Sequence, residues 1–526
     1  MSNSRKYIIA LIAALGLFPV VLDTTIVSIG LVPIANAMQS DLNTVQWILT
    51  GYLLALAISV AAGGYLGNMF GVKRLFLLGI GLFTFFSLLI GFAPNMELLI
   101  AFRVLQGLGG GFLLTLGQSI AFEQFPAEER ARASAVVALP ILLAPIFGPI
   151  LGGALLDSLG WPSIFFINVP VGVLVVLLGL LLLPGDNAPV RKQGARFDWP
   201  GLLLVGAGVT AIIYGVKLVT ETQPGSIGPL NPLGSVYGWG YGPVWLWLGG
   251  GALLLAAFAL YTLFLSTDPV LDLRLYRTRD FLSSTLVFVA STVVTFGLLL
   301  LIPVFLQRVR IPQLSAFDSG VTLVPLGAAA LLGVVVCARL YDTVGPRVLV
   351  IVGSALTVLG LWQLGNLTPT SGGSEIWPWL VAAGVGLAMT TVPVQTLALQ
   401  RLSGPTLSKG TSLFMTARLV FASVGSAVLT TLFIQQATTH GDTLKAAALS
   451  SLPAGVTPDP RNPLVQEAIK RMAAQAGTMG VNDVLGYVAV GAALMILLAF
   501  LLPARERVQV GQRNVIARSG PEIAGL

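Results

Sequence analysis

The sequence predicts an all-α integral membrane protein with fourteen spans. Three observations lead there. Of the 526 residues, 55% are hydrophobic and only 10% charged, against about 25% charged in an ordinary soluble domain. Apolar runs of about 20 residues, each long enough to cross a bilayer, recur from end to end. Basic residues also concentrate in alternate connections, as the positive-inside rule requires.

The spans fall at 7–35, 43–67, 75–93, 96–122, 133–157 and 163–183, then at 199–220 and 242–265. The last six fall at 281–306, 318–340, 347–366, 376–400, 409–436 and 481–502. The first run is too long for a cleavable signal, and no convincing small-residue cleavage site follows it. With both termini cytoplasmic, Arg5, Lys6, Lys73, Arg74, Arg130, Arg132, Arg191, Lys192, Arg196, Arg274, Arg277 and Arg279 all lie inside. Outside are Arg308, Arg310, Lys445, Arg461, Lys470 and Arg471, while Arg103, Lys217 and Arg418 are embedded. The net charge of +7 follows from this topology and does not point to nucleic acid. A single cysteine, Cys337, excludes an internal disulfide. With His440 the only histidine, a metal site or a catalytic relay is not expected, nor is an enzyme.

The chain repeats itself. Gly67-Asn68-Met69-Phe70-Gly71-Val72-Lys73-Arg74 follows the second span, and Tyr341-Asp342-Thr343-Val344-Gly345-Pro346-Arg347 follows the tenth. Both are short, basic, glycine-containing inner turns. With spans seven and eight set aside, each follows the second span of a six-span half. The expected organisation is therefore a bundle over 1–183, two extra spans over 184–280, a second bundle over 281–502 and a tail over 503–526. Two parallel six-span halves are the repeat logic of one large transporter class, with its site at the midplane between halves. Within 439–480, Leu464, Val465, Ala468, Ile469, Met472 and Ala476 form one helical stripe. It is read either as an amphipathic helix on the membrane or over the outer mouth, or as a solvated, partly helical loop.

Asp23 is the deepest carboxylate. It lies about 16 residues into span one, ~24 Å from the inner end, and Arg103 lies ~10 Å from the outer side of span four, at similar depth. A carboxylate beside a guanidinium keeps its charge, whereas one alone in a dry pocket binds a proton. The pair can therefore load and unload a proton, or it can be a static tie between helices. Charged groups deep in spans are rare, which favours function. Gln106 and Gln118 follow on span four, either lining the cavity or bonding between helices, and Gly107 and Gly111 allow close helix contact. Span five carries Pro140, Pro145, Gly148, Pro149, Gly152 and Gly153, the composition of a pliable, tightly packed helix. Arg418 has no evident acidic partner and can meet backbone carbonyls, the aqueous cavity or an anionic substrate group. Lys217 lies four residues before Glu221 near a span end and can snorkel. His440 is read as an interfacial residue.

These residues resemble the major facilitator superfamily, within it the fourteen-span drug–proton antiporters. Leu22-Asp23-Thr24-Thr25-Ile26-Val27 is similar to that branch's first-span motif, and Phe102-Arg103-Val104-Leu105-Gln106-Gly107 to the superfamily's span-four motif. Gly148-Pro149-Ile150-Leu151-Gly152-Gly153 resembles the antiporter motif, and Phe165-Phe166-Ile167-Asn168-Val169-Pro170 is typical of the branch. The resemblance implies the major facilitator fold and proton coupling through Asp23 and Arg103. It assigns gating to Asn68, Gly71, Lys73, Arg74, Asp342, Gly345 and Arg347 and to Gly148, Pro149, Gly152 and Gly153. Asn68 departs from the usual aspartate and weakens the inner lock of the first half, while Asp342 and Arg347 retain it in the second. No acidic residue occupies 376–400, where relatives that expel dications carry one.

The expected function is export of amphiphilic compounds across a bacterial inner membrane in exchange for protons. The proton gradient is the energy source and no cofactor is needed. Tyr52, Gln106, Gln118, Met389, Gln395 and Arg418 are the candidates for substrate contact. Export of a lipid or lysolipid is the alternative, and a membrane-embedded enzyme or receptor ranks far below. Apart from substrate, protons and the bilayer, no partner is implied; a monomer is compatible, and an accessory protein is left open.

Overall fold

The fold is seen in a computed structural model that describes residues 3–123, 144, 147–185, 197–221, 223, 236–267, 269–400, 402, 404–450 and 462–504. Among the described residues, 13 helices are long and apolar enough to cross a membrane. The first six helices are α1 (Asn3–Ala37), α2 (Trp47–Phe70), α3 (Val72–Gly91), α4 (Met96–Glu123), α5 (Phe147–Leu159) and α6 (Asn168–Leu182). Of the expected fifth span, α5 is the described part, and 124–143 lie outside the described residues. Two central helices follow, α7 (Trp199–Val219) and α8 (Gly242–Leu260). The last six are α9 (Arg279–Val304), α10 (Ala316–Val344), α11 (Pro346–Leu364), α12 (Gly373–Gln400), α13 (Gly404–Ser450) and α14 (Pro463–Ala499).

In hydrocarbon, a helix satisfies its own backbone, so apolar composition and end caps decide where each one runs. Proline opens α7, α8, α11 and α14 at the first turn, where a missing N–H costs nothing. Asp198 caps α7 by accepting from the Gly201 N–H at 2.9 Å, and the Ser315 hydroxyl caps α10 through the Asp318 N–H at 3.0 Å.

The helices pack mainly within the first six and within the last six, with α7 and α8 packed on each other. The two sets meet where α1 touches α9 and α10 and where α13 lies along α2. The central α7 bridges this seam by packing on both α2 and α13.

The repeat seen in the sequence has structural counterparts. Gly71 and Gly345 turn the chain with φ of 100° and 81°, a region that favours glycine because it has no Cβ. Just beyond each turn a basic side chain ties down the last helix of its set. Lys73 Nζ donates to the Leu183 carbonyl at 2.7 Å, and Arg347 Nε donates to the Leu502 carbonyl at 2.8 Å. Both cations sit at a helix C-terminus, where free carbonyls and the helix dipole favour positive charge. Arg347 thus binds a backbone carbonyl, and the side chains of Asn68 and Asp342 lie outside the described set.

The structure corrects the reading of 439–480. α13 runs on to Ser450 and α14 begins at Pro463, so the stripe belongs to the last span itself and is not a separate helix. At 1.5 Å per residue these helices, 47 and 37 residues long, exceed a ~30 Å hydrocarbon layer and project beyond it. Val465, Met472 and Ala476 are buried, Ala468 and Ile469 partly buried, and Leu464 is exposed. A Cβ at Gly480 would lie 2.9 Å from the Ala437 backbone nitrogen, so glycine permits this close approach. His440 is more than an interfacial residue: its Nε2 lies 2.8 Å from Asp483 Oδ2, tying α13 to α14. The stripe keeps the helical period of the span that follows it, and that span packs on α13.

This packing makes Val465→Asp destabilising, because it puts a charge into an apolar helix contact. The melting temperature of the purified protein in detergent falls, while Leu464→Asp leaves it unchanged. Equal melting for both variants would show that the stripe is not packed.

Candidate functional site

The deep charges of the first six helices form one buried network. Arg103 on α4 donates from Nη1 to Asp23 Oδ2 on α1 at 2.6 Å and to Gln106 Oε1 at 2.5 Å. Its Nε donates to the Ile48 carbonyl at the start of α2 at 3.0 Å. Asn168, at the start of α6, donates to Asp23 Oδ1 at 3.3 Å and to Ser87 Oγ on α3 at 3.1 Å. Gln106 Nε2 also donates to Ser87 Oγ at 3.0 Å, and the Ser87 hydroxyl donates to the Phe165 carbonyl at 2.9 Å. Five helices thus converge on one carboxylate.

No part of this network is open to solvent: Asp23 is 1% exposed, and Arg103, Gln106 and Ser87 are 0% exposed. The guanidinium is also sandwiched, its central carbon 4.1 Å from the Tyr52 ring centroid and 5.5 Å from that of Phe165. Such stacking suits the flat arginine cation. One valence is left over: Arg103 Nη2 is buried with no hydrogen-bond partner among the described residues.

The sequence foresaw Asp23, Arg103 and Gln106 in this region, and the structure joins all three. Tyr52, a candidate for the cavity wall, is fully buried with its ring against Arg103 and its hydroxyl donating to the Val20 carbonyl at 3.4 Å. Met389, another such candidate, is 6% exposed and packs with Cys337 and Leu349. Gln395 is partly exposed on α12, and the side chain of Gln118 lies outside the described set. Ser87 is the network member that sequence reasoning passed over, and Asn168 entered it only within the Phe165–Pro170 motif, without a role. Their polarity inside apolar runs was the available signal, although Ser and Asn occur in many membrane helices without such a role.

A second constellation closes one end of the seam. Asp157, at the end of α5, accepts from the Ala316 N–H at 3.2 Å and from the Phe317 N–H at 2.8 Å. A carboxylate from the first six helices therefore caps the N-terminus of α10, where unpaired N–H groups and the helix dipole attract an anion. Gln307 adds a bond from its Nε2 to the Ile29 carbonyl at 3.2 Å. The glycines of span five let this contact form. A Cβ at Gly148 would lie 2.0 Å from Thr25 Oγ1, one at Gly152 3.0 Å from the Ile26 side chain, and one at Gly153 2.5 Å from the Phe317 backbone. Pro149 presents its carbonyl to Gly320 of α10, where an added Cβ would meet it at 2.1 Å.

Arg418, on α13, remains partly exposed, its guanidinium carbon 5.5 Å from the Phe288 ring centroid on α9. Lys217 lines a crevice with Asn43, Gln46, Trp47 and Thr50, where α7 meets α2. Among the described residues there are no groups of His, Cys, Asp and Glu able to hold a metal ion.

The chain as a whole has counterparts among known proteins. The pattern of the Major Facilitator Superfamily matches residues 13–426. The chain belongs to this superfamily of membrane transporters. It is 31% identical over 416 residues to a multidrug resistance protein B homolog of Mycobacterium tuberculosis, covering 79% of this chain and 74% of that one. It is 31% identical over 429 residues to the tetracenomycin C resistance and export protein of Streptomyces glaucescens, covering 81% and 76%. It is 28% identical over 442 residues to the multidrug export protein EmrB of Escherichia coli, covering 84% and 82%. In fold it is similar to a bacterial homolog of the human lysosomal transporter Spinster in an inward-facing conformation, with a TM-score of 0.60, 16% identity and coverage of 95% and 98%. The crystal structure of a D-xylose–proton symporter gives a TM-score of 0.59, with 14% identity and coverage of 95% and 98%.

Two outcomes follow from the geometry. Ser87→Ala leaves the Phe165 carbonyl without its donor and two amides without their acceptor. It should lower stability by about 1–3 kcal/mol, read as a fall in the unfolding midpoint in detergent. A midpoint equal to the unsubstituted protein would show that these bonds carry no weight. Asp157→Ala uncaps α10 across the seam. Spin labels at Leu159 and Gln313 should then report a larger population of long distances, and an unchanged distribution would rule out Asp157 as a latch.

Proposed function

We propose that this chain is a proton-coupled antiporter that exports amphiphilic compounds by alternating access. It works in a bacterial cytoplasmic membrane with both termini in the cytoplasm. The observation that carries the reading is the fully buried Asp23–Arg103 pair, with its spare guanidinium valence, in the only described set of helices that holds a buried ion pair. The printed names of the relatives, multidrug resistance and export proteins, support the substrate range.

The coupling follows from electrostatics. A proton on Asp23 neutralises the acid and leaves Arg103 as a lone buried cation. Breaking a buried pair in this way costs about 3–5 kcal/mol unless the remaining charge is resolvated. Protonation is therefore tied to a rearrangement that brings water or new acceptors to Arg103. Five helices hold the pair, so that rearrangement moves α1 against α2, α4 and α6. In this reading Asp23 carries the proton, Arg103 sets when it is released, and Asn168 and Ser87 position the carboxylate. The carboxylate is sealed off, so proton and substrate communicate through helix position and do not compete for one group. The latch at Asp157 and α10 closes the opposite access path while the inner side is open.

Asp23→Asn tests this reading. The amide mimics the protonated acid, so the protein folds and binds substrate. In proteoliposomes it loses accumulation driven by an imposed pH gradient, and its substrate binding becomes independent of pH. Accumulation against a gradient at the unsubstituted rate would eliminate the mechanism.

A further inference from the structure

The three embedded cations are not alike. Arg103 is matched by Asp23. Lys217 sits near the end of α7, within reach of the membrane surface. Arg418 has neither excuse. It lies 9 residues after Lys409, where the apolar span begins, ~14 Å along the helix and near the middle of a ~30 Å layer. Among the described residues it makes no hydrogen bond and no ion pair, and its one contact of that kind is the Phe288 ring.

Its surroundings are informative. On α13, Phe414 lies one turn before it and stacks on Phe288 of α9 at 4.2 Å and 20°. Met415 and Ala422, at three residues before and four after, pack into an apolar cluster built mainly from the first six helices, with Leu17 of α1 and Phe296 of α9. Arg418 therefore stands on the stripe where α9, α13 and the first six helices meet. In a transporter of this architecture, that junction is where a substrate passes. Yet Arg418 is still partly exposed, whereas Phe414 and Ala422 beside it are 0% exposed. One turn before Phe288 on α9, the Ser284 hydroxyl is buried without a partner.

An unpaired guanidinium at this depth is costly, and such groups mark ligand or ion paths. The single acid of comparable depth is sealed and already satisfied, so the charge left open at the seam is positive. A planar guanidinium offers paired donors that match an oxyanion. We propose that Arg418 is the residue that selects substrate, and that the preferred substrate is an amphiphile with one anionic oxyanion group, a carboxylate or a phosphate. The inference rests on the transport reading above but not on its proton step. It places proton and substrate on opposite sides of the seam, with Asp23 among the first six helices and Arg418 among the last six.

Binding to the purified full-length chain in detergent, without any gradient, tests it. The probes are a single-chain aromatic carboxylate, its uncharged amide, and a lysophospholipid with an anionic head group. The unsubstituted protein should bind the carboxylate at least about tenfold more tightly than the amide. Arg418→Gln should erase that preference while changing amide binding by less than about twofold. Arg418→Lys should retain part of it, because a point charge replaces a fork. Loss of lysophospholipid binding in Arg418→Gln assigns the site to phosphates as well, and unaltered lysophospholipid binding confines the proposal to carboxylates. Equal affinity of the unsubstituted protein for carboxylate and amide overturns the proposal without needing any variant to fold. So does an Arg418→Gln protein that weakens both ligands equally. Asp23→Asn leaves this binding preference intact, so failure of proton coupling and failure of anion selection give different results.

Discussion

The first half of the molecule is organised around one requirement: a carboxylate and a guanidinium sealed inside the membrane must be satisfied together. Each charge would be prohibitive alone in a low-dielectric interior, and the pair is stable only because its remaining hydrogen-bonding capacity is also met. Arg103 draws on α1, α2 and its own helix, and Asp23 draws on α4 and α6. Ser87 closes the circuit through α3. Helix positions in this set are thus specified by polar geometry, where lipid-facing apolar residues could slide with little penalty. The one buried guanidinium nitrogen left without a partner is the point where the arrangement is least settled.

The second six helices repeat the backbone devices of the first around different charges, Arg418 in place of the Asp23–Arg103 pair. Their inner turn has its glycine and its basic tie to the last helix. Close glycine contacts recur as well: a Cβ at Gly79 would meet the Gly109 carbonyl at 3.0 Å, and one at Gly353 would meet the Gly386 carbonyl at 2.6 Å. Shared scaffolding and unshared chemistry fit a division of labour in which one set carries the proton and the other meets the cargo. The seam between them is crossed by apolar packing, with Leu22 and Ile26 in one cluster with Leu298 and Leu301, and by short polar contacts, Asp157 to α10 and Ser423 to the Thr50 carbonyl at 2.9 Å.

Much of this was legible in the sequence. Span positions follow from hydrophobic runs because the bilayer leaves the backbone few options. Asp23 and Arg103 stand out because charge at that depth is rare. The reading failed where polarity was ordinary. Ser87 and Asn168 look like common membrane-helix residues, and only their convergence in space gives them a role. The burial of Tyr52 against Arg103 and of Met389 against Cys337 depends on which side each presents to its neighbours, which is not visible in one dimension. The stripe at 463–476 was treated as separate from the span after it because the apolar run weakens there. The unbroken helix that carries it from Pro463 to Ala499 could not be inferred from the stripe alone. Asp157 was missed because an acid at a span end is usually just solvated.

Infrared difference spectroscopy on the substrate-free and substrate-bound protein tests the central claim most directly. If the Asp23–Arg103 pair gates a proton, the protonated-carboxyl band should change on substrate addition, and that change should be absent from Asp23→Asn. A substrate-induced band that persists unaltered in Asp23→Asn, or no band change in the unsubstituted protein at any pH where it transports, would contradict the account.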